Sequence, residues 1–147
     1  MHKNKKGFTL VEVLLVIVIV AILAGIVLVA VNPGRQVSQA NNTQRNSDVS
    51  AILNAVHQYS IDNRGALPAA ITTTATNVAS GAAQADICAD LVPTYLAALP
   101  FDPTAASTGF TDCTNYNTGY SISSDANNRI TVTAPSAELS ATISVTR

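Results

Sequence analysis

Charged side chains are scarce in this sequence: 8 lysines and arginines and 9 aspartates and glutamates are spread over 147 residues, for a net charge of −1. That balance argues against a generic nucleic-acid surface, which needs basic residues clustered against the phosphate backbone. Arginines such as Arg129 or Arg147 could touch DNA, but nothing singles them out, so DNA binding is possible without being indicated. Cysteine occurs only as Cys88 and Cys113, with no C-x-x-C pair and no Cys/His cluster, so neither a metal centre nor a dithiol redox motif is indicated. Nucleophile motifs, phosphate-binding glycine loops and metal-ligand spacings are also missing. His57, beside Val56 and Tyr59 on a predicted helix, reads as a surface histidine. Asp102, Asp112 and Asp125 lack the dense D-x-D spacing of a calcium loop and would meet around an ion only if loops gathered them. The expectation is a protein that is not an enzyme, without cofactor or metal.

What the chain has is hydrocarbon, 48% of its residues, concentrated in the first quarter. Val13 to Val31 reads VLLVIVIVAILAGIVLVAV, nineteen positions without a polar side chain, and the run reaches back to Phe8 if Thr9 and Glu12 are tolerated. As a helix rising ~1.5 Å per residue it can cross a bilayer core of ~30 Å. Lys3, Lys5 and Lys6 crowd its N-terminal side and only Arg35 follows closely on the other, so the N-terminus is expected in the cytoplasm and the rest outside. A cleaved secretory signal fits poorly, because its apolar region is usually about 7 to 15 residues long and ends in a small-x-small site. A plain single-pass anchor satisfies the hydropathy but leaves Glu12 unexplained.

A carboxylate at the centre of an inserted helix costs about 2.5–3.5 kcal/mol on insertion scales, less near the interface, and so calls for a partner. No lysine, arginine or histidine lies between Gly7 and Gly34. A cation does appear if the chain is cut between Gly7 and Phe8, since a free α-amine titrates at about 7.7 to 8 and is mostly protonated at neutral pH. That amine would sit one helical turn from Glu12. A glutamate reaching the headgroups by itself is the alternative.

The stretch KKGFTLVEVLLVIVIVAILA, residues 5 to 24, resembles the N-terminus of type IV prepilins and pseudopilins. It has a short basic leader ending in glycine, then phenylalanine, a hydroxyl residue, Leu-Val, glutamate at the fifth position after the glycine, and an unbroken apolar helix. The resemblance implies that a membrane prepilin peptidase cleaves after Gly7 and methylates the Phe8 amine, a change that keeps its charge. It also implies that Glu12 and Phe8 act in assembly, the glutamate of one subunit neutralising the amine of a neighbour and setting axial register. Loss of Lys3, Lys5 and Lys6 would leave 5 basic and 9 acidic residues, a net charge of −4.

Farther along, Asn32-Pro33-Gly34 interrupts the helix, because proline lacks an N–H and crowds the preceding turn. Asn32 as N-cap and Pro33 at the first helical position would let a helix restart at once, so Pro33 and Gly34 are expected to mark a kink rather than an end. The following section divides in two. Residues 35 to 48 show almost no apolar stripe and read either as a solvated spacer or as a surface against neighbouring subunits. Val49, Ile52, Leu53, Val56 and Tyr59 recur at helical spacing and should face a core. Gly65 and Pro68 close the helix. The Asn41-Asn42-Thr43 glycosylation sequon falls on it, where it carries little weight.

Ile71 to Gln84 reads as an exposed connection. A short helical turn is expected around Leu91 to Leu99. Three alternating runs follow, 118–123, 129–134 and 139–145, with the 125–128 turn between the first two. The outcome is an α+β fold: a long N-terminal helix whose amphipathic half covers an antiparallel meander, which is also the pilin arrangement. Cys88 and Cys113, in an exported domain, are expected to form a disulfide worth roughly 3 kcal/mol, with free buried thiols the alternative.

The expected organisation is a leader (1–7), a transmembrane and polymerisation helix (8–33), an amphipathic helix half (34–64) and a globular head (65–147). The expected function is that of a type IV pilus subunit, inserted in the cytoplasmic membrane and then polymerised into an extracellular filament for adhesion, motility or DNA uptake. Its partners would be the peptidase, copies of itself and other pilins, and the pilus assembly platform. A pseudopilin of a secretion or competence machine is the first alternative. An uncleaved, membrane-anchored binding domain is the second.

Overall fold

In a computed structural model the described residues are 7–30 and 32–147. The leader lysines Lys3, Lys5 and Lys6 therefore lie outside the described residues. The chain forms two compact units that divide between Val37 and Ser38.

The first unit holds α1 (Leu10–Ala30) and the first turn of α2 (Pro33–Asp62). Leucine, valine and isoleucine dominate α1, and Leu10–Val27 is long and apolar enough to cross a membrane, with none of it buried within the protein. Hydrophobic residues surround this helix on all sides, so it has no polar face to turn toward water. At the start of α2 the Asn32 side-chain oxygen accepts a hydrogen bond from the Arg35 amide at 3.1 Å, with Pro33 in the first helical position, where its missing N–H costs nothing.

In the second unit α2 presents Val49, Ile52, Leu53, Ala55 and Val56 to the core, as their three- and four-residue spacing requires. The helix ends when Arg64 turns left-handed (φ 59°) and the Gly65 amide bonds back to the Ser60 carbonyl at 2.7 Å, the closing bond of a Schellman motif.

The sheet comprises β1 (Thr76–Ala79), β2 (Gly109–Asp112), β3 (Asn115–Ser124), β4 (Ile130–Ala134) and β5 (Ile143–Thr146), all antiparallel, in the order β1-β3-β4-β5. Asn117 pairs with both Ala79 and Gly109, and Ile122 with both Thr76 and Val132, so β2 and β4 share one edge of β3 in succession and β1 takes the other. Alternation aims Tyr116, Thr118, Tyr120 and Ile122 of β3, and Ile130, Val132 and Ala134 of β4, into a single cluster with the apolar face of α2. The α+β, pilin-like architecture expected from periodicity is the one observed.

Four local expectations need correction. The 71–84 stretch is not wholly an exposed connection: it contains β1, whose Val78 is fully buried, because β3 offers a free edge that no local pattern in ITTTATNVASGAAQ announces. The short helix is α3 (Cys88–Leu91) rather than 91–99, since Pro93 forces Val92 into an extended conformation (φ −103°, ψ 134°). The last strand begins at Ile143, because Leu139 and Ser140 adopt left-handed conformations (φ 58° and 55°) incompatible with a strand. β2 has no counterpart among the expected strands: GFTD has no alternation long enough to read.

Candidate functional site

Two parts of the molecule carry chemistry. The first is the start of α1. Phe8 is 82% exposed and Thr9 precedes the helix, its hydroxyl oxygen accepting the Glu12 backbone N–H at 3.2 Å. Thr9 and Glu12 are therefore the N-cap and N3 positions of a T-x-x-E capping pattern, and the carboxylate lies in the first turn, where the helix dipole favours negative charge. The T-x-x-E spacing of Thr9 and Glu12 is plain in the sequence and gives the glutamate a capping role besides any pairing with a cation. Phe8, Glu12, Val13, Val16 and Ile17 line one shallow groove, which puts the phenylalanine and the carboxylate on the same face of the helix. Gly7, the residue before the expected cut, is also exposed.

The second part is a buried ionic cluster in the head. Arg45, with no solvent exposure, donates through Nε to Asp102 Oδ2 (2.7 Å) and through Nη2 to Asp102 Oδ1 (3.1 Å) and the Thr104 hydroxyl. Its Nη1 serves Glu138 Oε2 (2.8 Å) and Asn42 Oδ1 (2.9 Å), so five acceptors meet the five guanidinium hydrogens. Asp102 also accepts the Thr104 and Ala105 amides, each at 2.9 Å. Burial alone would raise the Asp102 carboxyl, but the Arg45 hydrogen bond and the two amides outweigh it and hold it below the usual aspartate range. Arg45, hydrogen-bonded to Asp102, is pushed upward despite burial and stays charged.

Glu138, in the connection between β4 and β5, accepts from Arg45, from the Asn41 side-chain amide (2.9 Å) and from the Ser38 hydroxyl (2.9 Å), and these hold its carboxyl low. Next to this cluster Asp48 accepts from the Tyr120 hydroxyl at 2.7 Å and from Gln44 at 2.7 Å. Burial first, and then Asp48, push the Tyr120 hydroxyl pKa up; burial and Asp86 do the same at Tyr116. Residues 35–48 are thus neither a mere spacer nor wholly available to neighbours. Ser38, Asn41, Asn42, Arg45 and Asp48 continue the inward stripe of α2 in polar form, at a spacing the sequence displays once polar residues are counted along with apolar ones.

Cys88 and Cys113 are joined in a disulfide with Cα atoms 5.3 Å apart, tying the start of α3 to the turn after β2. Asp102, Asp112 and Asp125 do separate work instead of converging. Asp112 caps the β2–β3 turn through the Thr114 and Asn115 amides, and Asp125 holds the β3–β4 turn and pairs with Arg129 at 2.7 Å. No group of three or more metal-ligating side chains occurs among the described residues. His57 is half-buried rather than a surface residue, with its Nε2 enclosed and without a hydrogen-bond partner. Asn41, the sequon residue, has its amide engaged by Glu138. Arg147 rests on Asn54 at 3.1 Å.

An apolar N-terminal helix with one carboxylate in its first turn, carried on a chain whose head is a helix-covered antiparallel sheet, defines a pilin-like α+β protein. Residues 2–28 match the prokaryotic N-terminal methylation motif, the signature shared by type IV pilins and pseudopilins. That signature implies processing by a prepilin peptidase and assembly of the pilin kind in general. No curated protein and no solved structure matches the chain.

Proposed function

We propose that the chain is a structural subunit of a type IV pilus. It is inserted in the cytoplasmic membrane with its N-terminus inside, cut after Gly7, methylated on Phe8 and polymerised through α1 into an extracellular filament. The observation that carries this reading is the methylation motif at residues 2–28, which runs into a helix long and apolar enough to cross a membrane. An apolar helix of this length needs lipid or the same helix of other copies around it, and the motif names the methylation of the amine that a peptidase cut would free. Glu12 then neutralises an amine in the assembled filament, so that a subunit docked one turn out of register leaves a charge unpaired in an apolar core. Such a protein builds and binds; it has no catalytic residues of its own.

Intact-mass measurement and N-terminal sequencing of the protein made in its own host test this directly. A chain beginning at methylated Phe8 supports the reading, and one that still begins at Met1 overturns it. The lysines of the sequence are Lys3, Lys5 and Lys6, so a processed chain has no lysine ε-amine and reacts with amine-directed reagents at Phe8 alone. A long surface filament containing this chain then favours a pilus, whereas a short periplasmic one on which protein secretion depends favours a pseudopilus.

A further inference from the structure

We propose that Ser38 to Arg45 form a releasable arm: a stretch of α2 clasped to the head by Glu138, which opens as a unit in acid while the apolar core beneath stays folded. The inference concerns the head alone and does not depend on whether the chain polymerises.

Ser38, Asn41, Asn42 and Arg45 reach the head through the polar contacts of one cluster. Ser38, Asn41 and Arg45 donate to the Glu138 carboxylate, and Asn42 makes two bonds with the Glu138 backbone, donating to its carbonyl (2.8 Å) and accepting its amide (2.9 Å). These four residues stand at the i, i+3, i+4 and i+7 positions of one helix face, so a single residue of the β4–β5 connection spans two turns of α2. Apolar burial begins only at Val49, and Arg45 is the one residue of the stretch fully removed from water. The clasp and the core are therefore different kinds of interaction on adjoining segments of one helix: the first depends on charge, the second does not.

Glu138 is also where water enters the cluster. Its side chain is 31% exposed, whereas Arg45 and Asp102 are fully enclosed. The titratable groups around it are Arg45 and Asp48 of α2, Asp102 of the 100–108 loop and Tyr120 of β3. Arg45 faces two carboxylates, so neutralising Glu138 removes one of the two negative charges that hold it. A protonated Glu138 then keeps one oxygen as an acceptor but offers an O–H toward the donors of α2, so the clasp loses the charge assistance of its Ser38, Asn41 and Arg45 bonds together.

Hydrogen exchange read by mass spectrometry on the full chain in detergent micelles tests this, with rates corrected for the intrinsic effect of pH. Between neutral pH and about pH 3, protection over 38–45 should fall by at least about tenfold, the loss expected for one charge-assisted hydrogen bond. Protection over 49–56 should persist, and the change should reverse on neutralisation. Glu138→Gln should lower the protection of 38–45 already at neutral pH and flatten its pH dependence. Simultaneous loss over 38–45 and 49–56 at every pH would show that no separate arm exists, and an unchanged pH profile in Glu138→Gln would show that another group is the trigger. The wild-type titration alone decides whether the arm opens separately from the core, even if the variant folds poorly.

Discussion

Arg45 and Asp102, 57 residues apart in the chain, are joined by two hydrogen bonds of 2.7 and 3.1 Å with neither side chain reaching solvent. The pair joins the helix to the loop that leads into β2, and it does so inside the head, where an unpaired charge is expensive. Removing one partner of such a pair costs about 3–5 kcal/mol, whereas removing both costs much less. Arg45→Met should therefore destabilise the head by about 3–5 kcal/mol, and the double variant with Asp102→Asn should recover part of that loss. Because the chain has no tryptophan, denaturation followed by tyrosine fluorescence is the suitable measurement.

The pH dependence has a definite sign at each end. Asp102 and Glu138 are both held below their usual carboxylate range, so their contribution is complete above the unfolded values of about 3.9 and 4.3 and is lost as pH falls through the folded ones. Tyr116 and Tyr120 are pushed up, so theirs is complete below about 10 and is lost as pH rises further. Thermal midpoints should be level between these limits and fall outside them. Arg45→Met should flatten the acid limb and, because the Arg45 charge opposes the upward shift of Tyr120, move the alkaline one if anything to higher pH.

The Cys88–Cys113 bond closes a loop with a sequence separation of 25 and braces a small head. Its reduction, or Cys88→Ser with Cys113→Ser, should destabilise the head by about 2–4 kcal/mol. Melting curves with and without reductant should differ for the wild type and coincide for the double variant.

Gly119 sits in β3 with φ 74°, and a Cβ there would come 2.8 Å from the Thr108 methyl and 3.2 Å from Asp102 Cβ. Gly119→Ala should cost about 1–3 kcal/mol from the left-handed backbone alone, and the displaced 102–108 loop should weaken the Arg45 pair in addition. A double-mutant cycle with Arg45→Met would show this coupling as non-additivity. Simple addition would place the whole cost in the backbone.

At the other end of the chain, the proposed pilus function predicts that Glu12→Val leaves membrane insertion and the cut after Gly7 intact, because it makes α1 more apolar. Filament yield should fall below about a tenth of wild type, since the amine at Phe8 would then be buried without a counter-charge. Immunoblots of sheared filaments against processed membrane protein measure the two steps separately. Normal filaments from this variant would remove Glu12 from assembly.

The amount legible in the sequence differs along the chain for physical reasons. The apolar run, the glutamate after Phe8 and the stripe from Val49 to Tyr59 are local patterns with a fixed period, and each appears where its period places it. The central strands β3 and β4 alternate over five residues or more and are equally readable. β1 and β2, four residues each, become strands because β3 has edges to fill. Leu139 looks like a strand residue but turns left-handed beside a Glu138 whose backbone and side chain are both held by α2.

By itself, then, the sequence determined that the chain has a lipid-compatible helix with a carboxylate at its start and a helix-covered antiparallel sheet, because hydrophobic periodicity is a property of neighbours in the chain. Only the tertiary structure decided that Arg45, Asp102 and Glu138 share one buried cluster, that Thr76–Ala79 is a strand and that His57 is half-buried. Those facts depend on which distant segments meet, and the energy of an ion pair or a strand edge exists only once they have met.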